Sequence, residues 1–328
     1  MPHWSLRTLL RIVRRCHGVD ERGHDLHLSP SAIPGSMKIL ITSGGRLGTL
    51  LYHALKEEHD LRVLRRRPDD AFGASCVVGD ASRYDDVARA MEGCECVFHT
   101  AVRNNTDVEL ESYEDFHASN VDGTFNVFLA AHRLGVPRIV HSSTSTVNAF
   151  HTAAESMRPG EGKALRIGDD AQRRGADIYG LTKVVEELYA DYFRQRYGMS
   201  IISLRYGWLA PQSLYRDPTM VYNTLAFCFH EQDALQSNLL VMNQDTTGNY
   251  LICAPPAFDD EDAPGLWQNV AGVLERKFPA ELSYLRSIAF DPAPIPVWLD
   301  CSRAIRDLGY RPRHDFAWFV RTHRENGF

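Results

Sequence analysis

From Met37 to Gly207 the chain repeats one rhythm: a short apolar run, a turn, an amphipathic helix, another apolar run. MKILIT leads into a helix through LGTLLYHALKEE. LRVLRR, ASCVVGD and CECVFHT follow, with a helix over DDVARAMEG between the last two. A longer helix over SNVDGTFNVFLAAHRLG precedes RIVHSS, and a helix from about Asp177 to Arg196 precedes SIISLRYG. Runs that are apolar on both faces and separated by helices have to be covered on both sides, which specifies a parallel sheet between two helical layers. The expected class is α/β with a doubly wound parallel sheet. After Pro211 the rhythm breaks: PTMVYNTLAFCFHEQDAL and LWQNVAGVLERKF read as helices, LLVMN and NYLICAP as short strands. The chain thus divides into an N-terminal extension (1–36), a dinucleotide-binding sheet domain (37–211) and a smaller mixed substrate-binding region (212–328). The strand near 249–254 is free to return to the main sheet.

The first strand runs directly into ITSGGRLG and then into a helix, the context in which a glycine loop binds phosphate. Glycines let the backbone approach a pyrophosphate, and the helix N-terminus offers unpaired N–H groups and a positive dipole end. Ser43, Gly44, Gly45, Arg46, Leu47 and Gly48 are the candidate cradle. The second strand should end beside the adenosine ribose, where an acidic residue would bind the 2′-hydroxyl of NAD. Arg65, Arg66 and Arg67 stand there instead. Guanidinium groups suit a 2′-phosphate, so the expected cofactor is NADP in preference to NAD. The alternative reading of the arginines is an exposed basic strand end.

Composition narrows the function classes. A net charge of -6 over 328 residues provides no global field to recruit nucleic acid. No apolar run approaches the roughly 18 residues of a membrane span. Seven scattered cysteines point to a reducing compartment, hence a cytoplasmic protein, and Cys94 and Cys96 read as buried strand-entry thiols, with no metal site expected. Residues 1–36 interleave Trp4, Leu6, Leu9, Leu10, Ile12 and Val13 with Arg7, Arg11, Arg14 and Arg15. They read as a loosely ordered extension, with a basic amphipathic helix for organellar import or surface anchoring as the alternative.

Tyr179 and Lys183 are spaced i, i+4 on one helix, so an ammonium can sit near the phenol and favour its ionisation. The chain has only five lysines, at 38, 56, 163, 183 and 277, and otherwise uses arginine, which suggests that a compact ammonium is needed at 183. Thr144, at the end of RIVHSST, is placed to donate to a substrate oxygen.

With these residues in order, the chain resembles the extended short-chain dehydrogenase/reductase superfamily of the NAD-dependent epimerase/dehydratase type, with a Rossmann-like sheet. The likeness rests on TSGGRLG, Gly79-Asp80, VFHTA at 97–101, Asn120-Val121 with Gly123-Thr124 and Asn126, HSSTSTV at 141–147, YGLTK at 179–183 and LRYG at 204–207. The resemblance implies that Thr144, Tyr179 and Lys183 are catalytic and that Asn120 supports their proton relay. It places Asp80, with Ala81, by the adenine and Ala101, with Thr100, beside the phosphates and ribose. Lys183 would also hold the nicotinamide ribose, and Tyr206 would lie at the cofactor. Family members commonly dimerise through the helix after the fourth strand and the Tyr179 helix, with Leu188, Tyr189, Tyr192 and Phe193 as the apolar patch here.

The departures from the family pattern narrow the reaction. One residue of the loop is deleted, and Thr42 or Ser43 takes the place of its first glycine, with Ser43 placed to cap the helix or touch a phosphate. Dehydratases of this superfamily carry Asp-Glu directly after the catalytic Ser or Thr, whereas Ser145 and Thr146 follow Thr144, which argues against water elimination. Trp208 occupies the place of an asparagine that contacts sugar diphosphates, which favours a smaller or less polar substrate. The expected function is an NAD(P)-dependent oxidoreductase that moves a hydride to or from a carbinol or carbonyl carbon of a small substrate. A sugar, a sugar acid or an alcohol is the expected class. Arg103, Asn148, His151 and Trp208 are the candidate substrate contacts, and Gly160, Gly162, Gly168 and Gly175 mark a candidate lid. The alternatives are a sugar epimerase with tightly held NAD, a dinucleotide-sensing regulatory protein without turnover, and a scaffold protein acting through residues 1–36.

Overall fold

The computed structural model describes residues 35–104, 112–148, 162–209 and 212–326. Residues 1–34 of the N-terminal extension, His151 and Gly160 lie outside them. Seven parallel strands form the central sheet in the order β3 (Cys76–Val78), β2 (Asp60–Arg65), β1 (Lys38–Ile41), β4 (Cys96–His99), β5 (Arg138–Thr144), β7 (Ile201–Tyr206) and β10 (Gly248–Ile252). The direction of winding reverses between β1 and β4, so a crevice opens at the C-terminal ends of those two strands, where α/β sheets bind ligands. The glycine loop and Thr100-Ala101 both lie at that switch point.

Helices cover both faces because the strands are apolar on both. Ile39, Ile41, Val63 and Phe98 pack into one buried cluster, Leu40, Leu64, Val97 and Ile139 into another. Helices α1 (Arg46–Leu55), α2 (Tyr84–Met91), α3 (Tyr113–Phe116), α4 (Gly123–Leu134) and α5 (Ile178–Tyr197) supply the layers. A π turn over His117–Asp122 joins α3 to α4. Asp177 caps α5 by accepting from Gly180 N at 2.6 Å, and Gly198 ends it in the left-handed region at φ 66.

β10 pairs with β7 from Gly248 to Ile252, so the late strand does return to the main sheet. Beyond β7 the structure departs from the expected elements. PTMVYNTLAFCFHEQDAL is broken into α6 (Pro218–Asn223), the strand β9 (Cys228–Phe229) and α7 (Glu231–Val241), because Cys228 and Phe229 pair with β8 (Trp208–Leu209). Tertiary pairing has overridden the helical pattern. The expected strand LLVMN begins inside α7, with Leu239 and Val241 buried; a short apolar run does not distinguish a strand from a buried helix turn. LWQNVAGVLERKF is split into α8 (Ala263–Gln268) and α9 (Val270–Lys277) at Asn269, whose side chain caps the second helix. Within the expected lid segment, β6 (Leu165–Ile167) pairs with β11 (Val297–Leu299). Trp298, Phe316, Phe319, Leu266 and Leu274 belong to a second buried cluster in this C-terminal part. The chain continues through α10 (Pro279–Ser287), α11 (Ser302–Leu308) and α12 (Phe316–Glu325).

Among the described residues no helix is long and apolar enough to cross a membrane. On α5, Leu188 and Tyr192 are exposed, but Phe193 is buried against Phe128 of α4 and leaves the expected apolar patch. Positions 186, 190 and 193 share the inward helical stripe, and 188 and 192 share the outward one.

Candidate active site

The loop after β1 turns without its first glycine by using two hydroxyls. Thr42 Oγ1 accepts from both Thr100 N and Ala101 N at 3.0 Å, and Thr100 Oγ1 donates to the Ser43 carbonyl at 3.1 Å. Ser43 does not cap α1: the N-cap is Gly45, and Ser43 Oγ accepts from Gly45 N at 3.2 Å. A Cβ on Gly48 would lie 1.7 Å from the Ser43 carbonyl oxygen, so only glycine lets α1 approach the strand end so closely. A Cβ on Gly44 would meet the Phe72 ring at 2.5 Å. At Gly45 the nearest atom is Ser43 Oγ at 3.6 Å, leaving the start of α1 open. The first-turn amides of a helix have no partner within it, so Gly45, Arg46, Leu47 and Gly48 fit a pyrophosphate. Arg46 also donates to the Leu209 carbonyl at 2.8 Å, spanning from the loop to the C-terminal part.

At the end of β2, Arg65 is held by Asp69 at 2.8 Å and lies over the Phe72 ring, whereas Arg66 is exposed. Asp69 is an acid that the sequence reading did not place at the ribose end of β2. Asp80 Oδ1 accepts from Ser82 N and Ser82 Oγ, both at 2.9 Å, and so fixes its own loop. The Ala81 carbonyl accepts from Asn126 of α4.

Tyr179 and Thr144 meet at the end of β5, where Thr144 Oγ1 also accepts from Thr146 N and Thr146 Oγ1, both at 3.2 Å. Burial raises the Tyr179 phenol above its ordinary value, the neighbouring Thr144 hydroxyl lowers it, and the charges of Glu186 and Asp177 raise it again. Lys183 is 2% exposed; its Nζ donates to the Ser142 carbonyl at 2.9 Å and to Glu186 Oε2 at 2.8 Å. An ammonium has three N–H groups, so one is left for a ribose hydroxyl. Asn120, brought inward by the π turn, accepts from Arg103 N at 2.8 Å and donates to the Arg103 carbonyl and to Thr182 Oγ1, both at 3.0 Å. It therefore clamps the loop after β4 to α5.

The remaining expected contacts divide. Trp208 is 45% exposed and stacks on Phe227, and the Arg103 guanidinium meets Asp115 at 3.1 Å over the Phe116 ring. Asn148 is fully buried and Tyr206 is nearly so, its hydroxyl accepting from Asn238 Nδ2 at 2.7 Å and its ring stacked on Phe229. Tyr206 and Asn148 are thus core groups beneath the site and present no surface to a ligand. β7 is buried along its whole length, which the spacing of LRYG did not reveal. His99, His141 and Glu186 bring one ligand atom each within 4.8 Å of one another. All four ring nitrogens are engaged, by Thr42, Thr124, Ser203 and Glu186, so the cluster is a hydrogen-bonded chain. Burial pushes the Cys94 and Cys96 thiols up to about 11 and about 12, far from a metal-binding thiolate.

Set beside known proteins, the chain matches the model of the NAD dependent epimerase/dehydratase family over residues 39–249. It is 29% identical over 177 residues to the L-arabinose 1-dehydrogenase (NAD(P)(+)) of Haloferax volcanii, covering 52% of this chain and 67% of that one. It is 28% identical over 183 residues to the uronate dehydrogenase of Pseudomonas syringae pv. tomato, covering 55% and 62%. The match thus spans about two thirds of these relatives' length. Among solved structures, a short-chain dehydrogenase/reductase superfamily protein from Agrobacterium tumefaciens with bound NAD superposes with a TM-score of 0.66 at 17% identity, over 88% of this chain and 96% of that one. Uronate dehydrogenase from the same organism gives 0.61 at 19% identity, over 89% and 90%. These likenesses establish the fold.

Proposed function

Because this chain belongs to the NAD dependent epimerase/dehydratase family and is an NAD(P)-dependent enzyme of the extended short-chain dehydrogenase/reductase type, we propose that it interconverts a carbinol and a carbonyl on a sugar, sugar acid or related alcohol. The observation that carries this reading is the meeting of Tyr179 and Thr144 at the end of β5, with Lys183 one helical turn further along α5. Gly45 to Gly48 would hold the pyrophosphate, Arg65 and Arg66 the adenosine end, and Lys183 the nicotinamide ribose. When bound, the nicotinamide supplies the acceptor or donor of hydride. Thr144 holds the substrate oxygen. In oxidation Tyr179 Oη takes the hydroxyl proton as the C–H electron pair leaves with the hydride and the C=O bond forms; in reduction it returns that proton. Lys183 holds its charge near the phenol, and Asn120 keeps the Arg103 loop against α5. The names of the arabinose and uronate dehydrogenases support the substrate class. The exposed Trp208 ring supports a ligand smaller and less polar than a nucleotide diphosphate sugar.

NADP is the proposed preference, through Arg65 and Arg66, and a homodimer the proposed assembly, through the exposed Leu188 and Tyr192 of α5. The test is a fluorescence titration of the full chain with NADPH and NADH, followed by a screen of aldoses, uronates and alcohols for cofactor turnover with Tyr179→Phe as blank. Turnover that Tyr179→Phe reduces by about 100-fold or more supports the reading. Binding of neither cofactor, or turnover indifferent to Tyr179, overturns it. Sedimentation showing a monomer at micromolar concentration overturns the dimer.

A further inference from the structure

Directly behind Lys183, where α5 packs on β5, sits a carboxylate with no role in the reaction described above. Glu186 is fully buried, three residues after Lys183 on the same helix. Its Oε2 lies 2.8 Å from Lys183 Nζ and 2.8 Å from His141 Nε2, and its Oε1 is buried without a hydrogen bond. Burial works against its charge, but Lys183 and the His141 hydrogen bond outweigh that and hold the carboxyl below its ordinary value. Burial keeps His141 below its own ordinary value despite Glu186, so His141 is the neutral donor and Glu186 the anion.

The ammonium of Lys183 is therefore pinned between a backbone carbonyl and a full negative charge. Facing Glu186 are Lys183 and Glu187 of its own helix and His141 of β5, with the His99 ring of β4 stacked 5.6 Å behind. Arg205 of β7 is committed to Glu187 at 2.7 Å. Tyr179 faces Thr144, Asp177 and Glu186. Around the phenol, then, the lysine's positive charge is matched by a buried negative one.

We propose that Glu186 is a positioning residue: it fixes the Lys183 ammonium beneath β5 and offsets its charge, so that carbonyl reduction, which draws on the Tyr179 proton, holds its rate to higher pH. In that direction the phenol O–H bond breaks and its proton goes to the carbonyl oxygen. The carbon takes the hydride of the reduced nicotinamide, and water restores the phenol proton. The inference rests on the hydride-transfer reading above. It adds a control on the pH range of reduction, through one acid on the inner face of α5. A lysine without such a partner would leave its charge free to favour phenolate.

The test compares the pH profile of carbonyl reduction in the wild type and Glu186→Gln, whose amide oxygen still accepts from Lys183. The alkaline limb should move to lower pH by about one unit or more in Glu186→Gln, with NADPH affinity unchanged. Limbs at the same pH in both proteins overturn the proposal. A second measurement needs no turnover. In wild-type and Glu186→Gln protein carrying ring-labelled tyrosine, the Tyr179 NMR signal, assigned with Tyr179→Phe, is followed from about pH 7 to about pH 11. A midpoint lower in Glu186→Gln than in the wild type supports the proposal; equal midpoints, or a phenolate near neutrality in the wild type, overturn it. If no substrate turns over, the proposed reaction fails while this titration still decides the role of Glu186.

Discussion

Thr42 Oγ1 and His99 Nδ1 lie 2.9 Å apart and join the C-terminal ends of β1 and β4. Thr42 already accepts from two backbone amides, so its own hydrogen goes to His99 Nδ1, and His99 then donates from Nε2 to Thr124 at 2.8 Å. The tautomer follows from the network, and the network holds the crevice open at the switch point.

Thr42→Val keeps the shape but leaves two amides and a ring nitrogen without their partner. We expect a loss of about 1–3 kcal/mol, read as a lower urea midpoint at unchanged slope, together with weaker cofactor binding. Thr42→Ser should restore most of both. Equal midpoints for Thr42→Val and wild type would show that the hydroxyl does not hold the loop.

The doubly wound parallel sheet was legible because it depends on local pattern, runs apolar on both faces, and so was the placing of Tyr179 and Lys183 on one helix and of Thr144 at a strand end. Thr42 was harder to read. A missing glycine looks like a defect in the sequence, and its compensation depends on Thr100 and Ala101 nearly sixty residues away. Glu186 was illegible for a related reason. Two consecutive acids in a helix give no sign of which faces the sheet, and both are fully buried, each with a different cation, Lys183 and Arg205. The elements after Pro211 were misread where pairing between β8 and β9 outweighed local propensity.

Asp69 engages the guanidinium that a 2′-phosphate would need. Asp69→Asn should free Arg65 and shift the ratio of NADPH to NADH affinity by about tenfold toward NADPH, one charge-assisted contact being worth about 1.4 kcal/mol or more. Arg66→Ala should move the ratio the other way. Titrating both variants with both cofactors checks this, and an unchanged ratio in Asp69→Asn would place the phosphate away from Arg65.

Lys183→Met removes the cation that lets Glu186 stay charged in the interior. Breaking a buried pair from one side costs about 3–5 kcal/mol, so this variant should be markedly less stable as well as inactive. Its pH dependence fixes the cause. Without Lys183 the folded-state pKa of Glu186 rises above the unfolded one, so stability is full at low pH and lost as pH rises through the folded value. Lys183→Met/Glu186→Gln should regain most of the stability and none of the activity. Chemical denaturation of the three proteins between about pH 4 and about pH 8 separates the structural loss from the catalytic one.

His99 and His141 give the wild type an acid limit of its own. Both are buried; burial holds each below its ordinary value of 6.5, and His141 and Lys183 lower His99 further. A group with a depressed folded-state pKa contributes stability above its unfolded value and loses that contribution as pH falls toward the folded one. The loss therefore begins near pH 6.5, above the range where carboxylates protonate. Below that pH each histidine can remove up to about 1.4 kcal/mol per pH unit until its folded pKa is reached. Glu186, also depressed, adds its own loss only at lower pH. Denaturation midpoints measured from about pH 7.5 down to about pH 5 should fall steadily, and His99→Gln should flatten the curve by about one proton's slope. A curve unchanged by His99→Gln would mean that the ring is already protonated in the fold, and that the Thr42–His99–Thr124 chain runs in a different order from the one its distances specify.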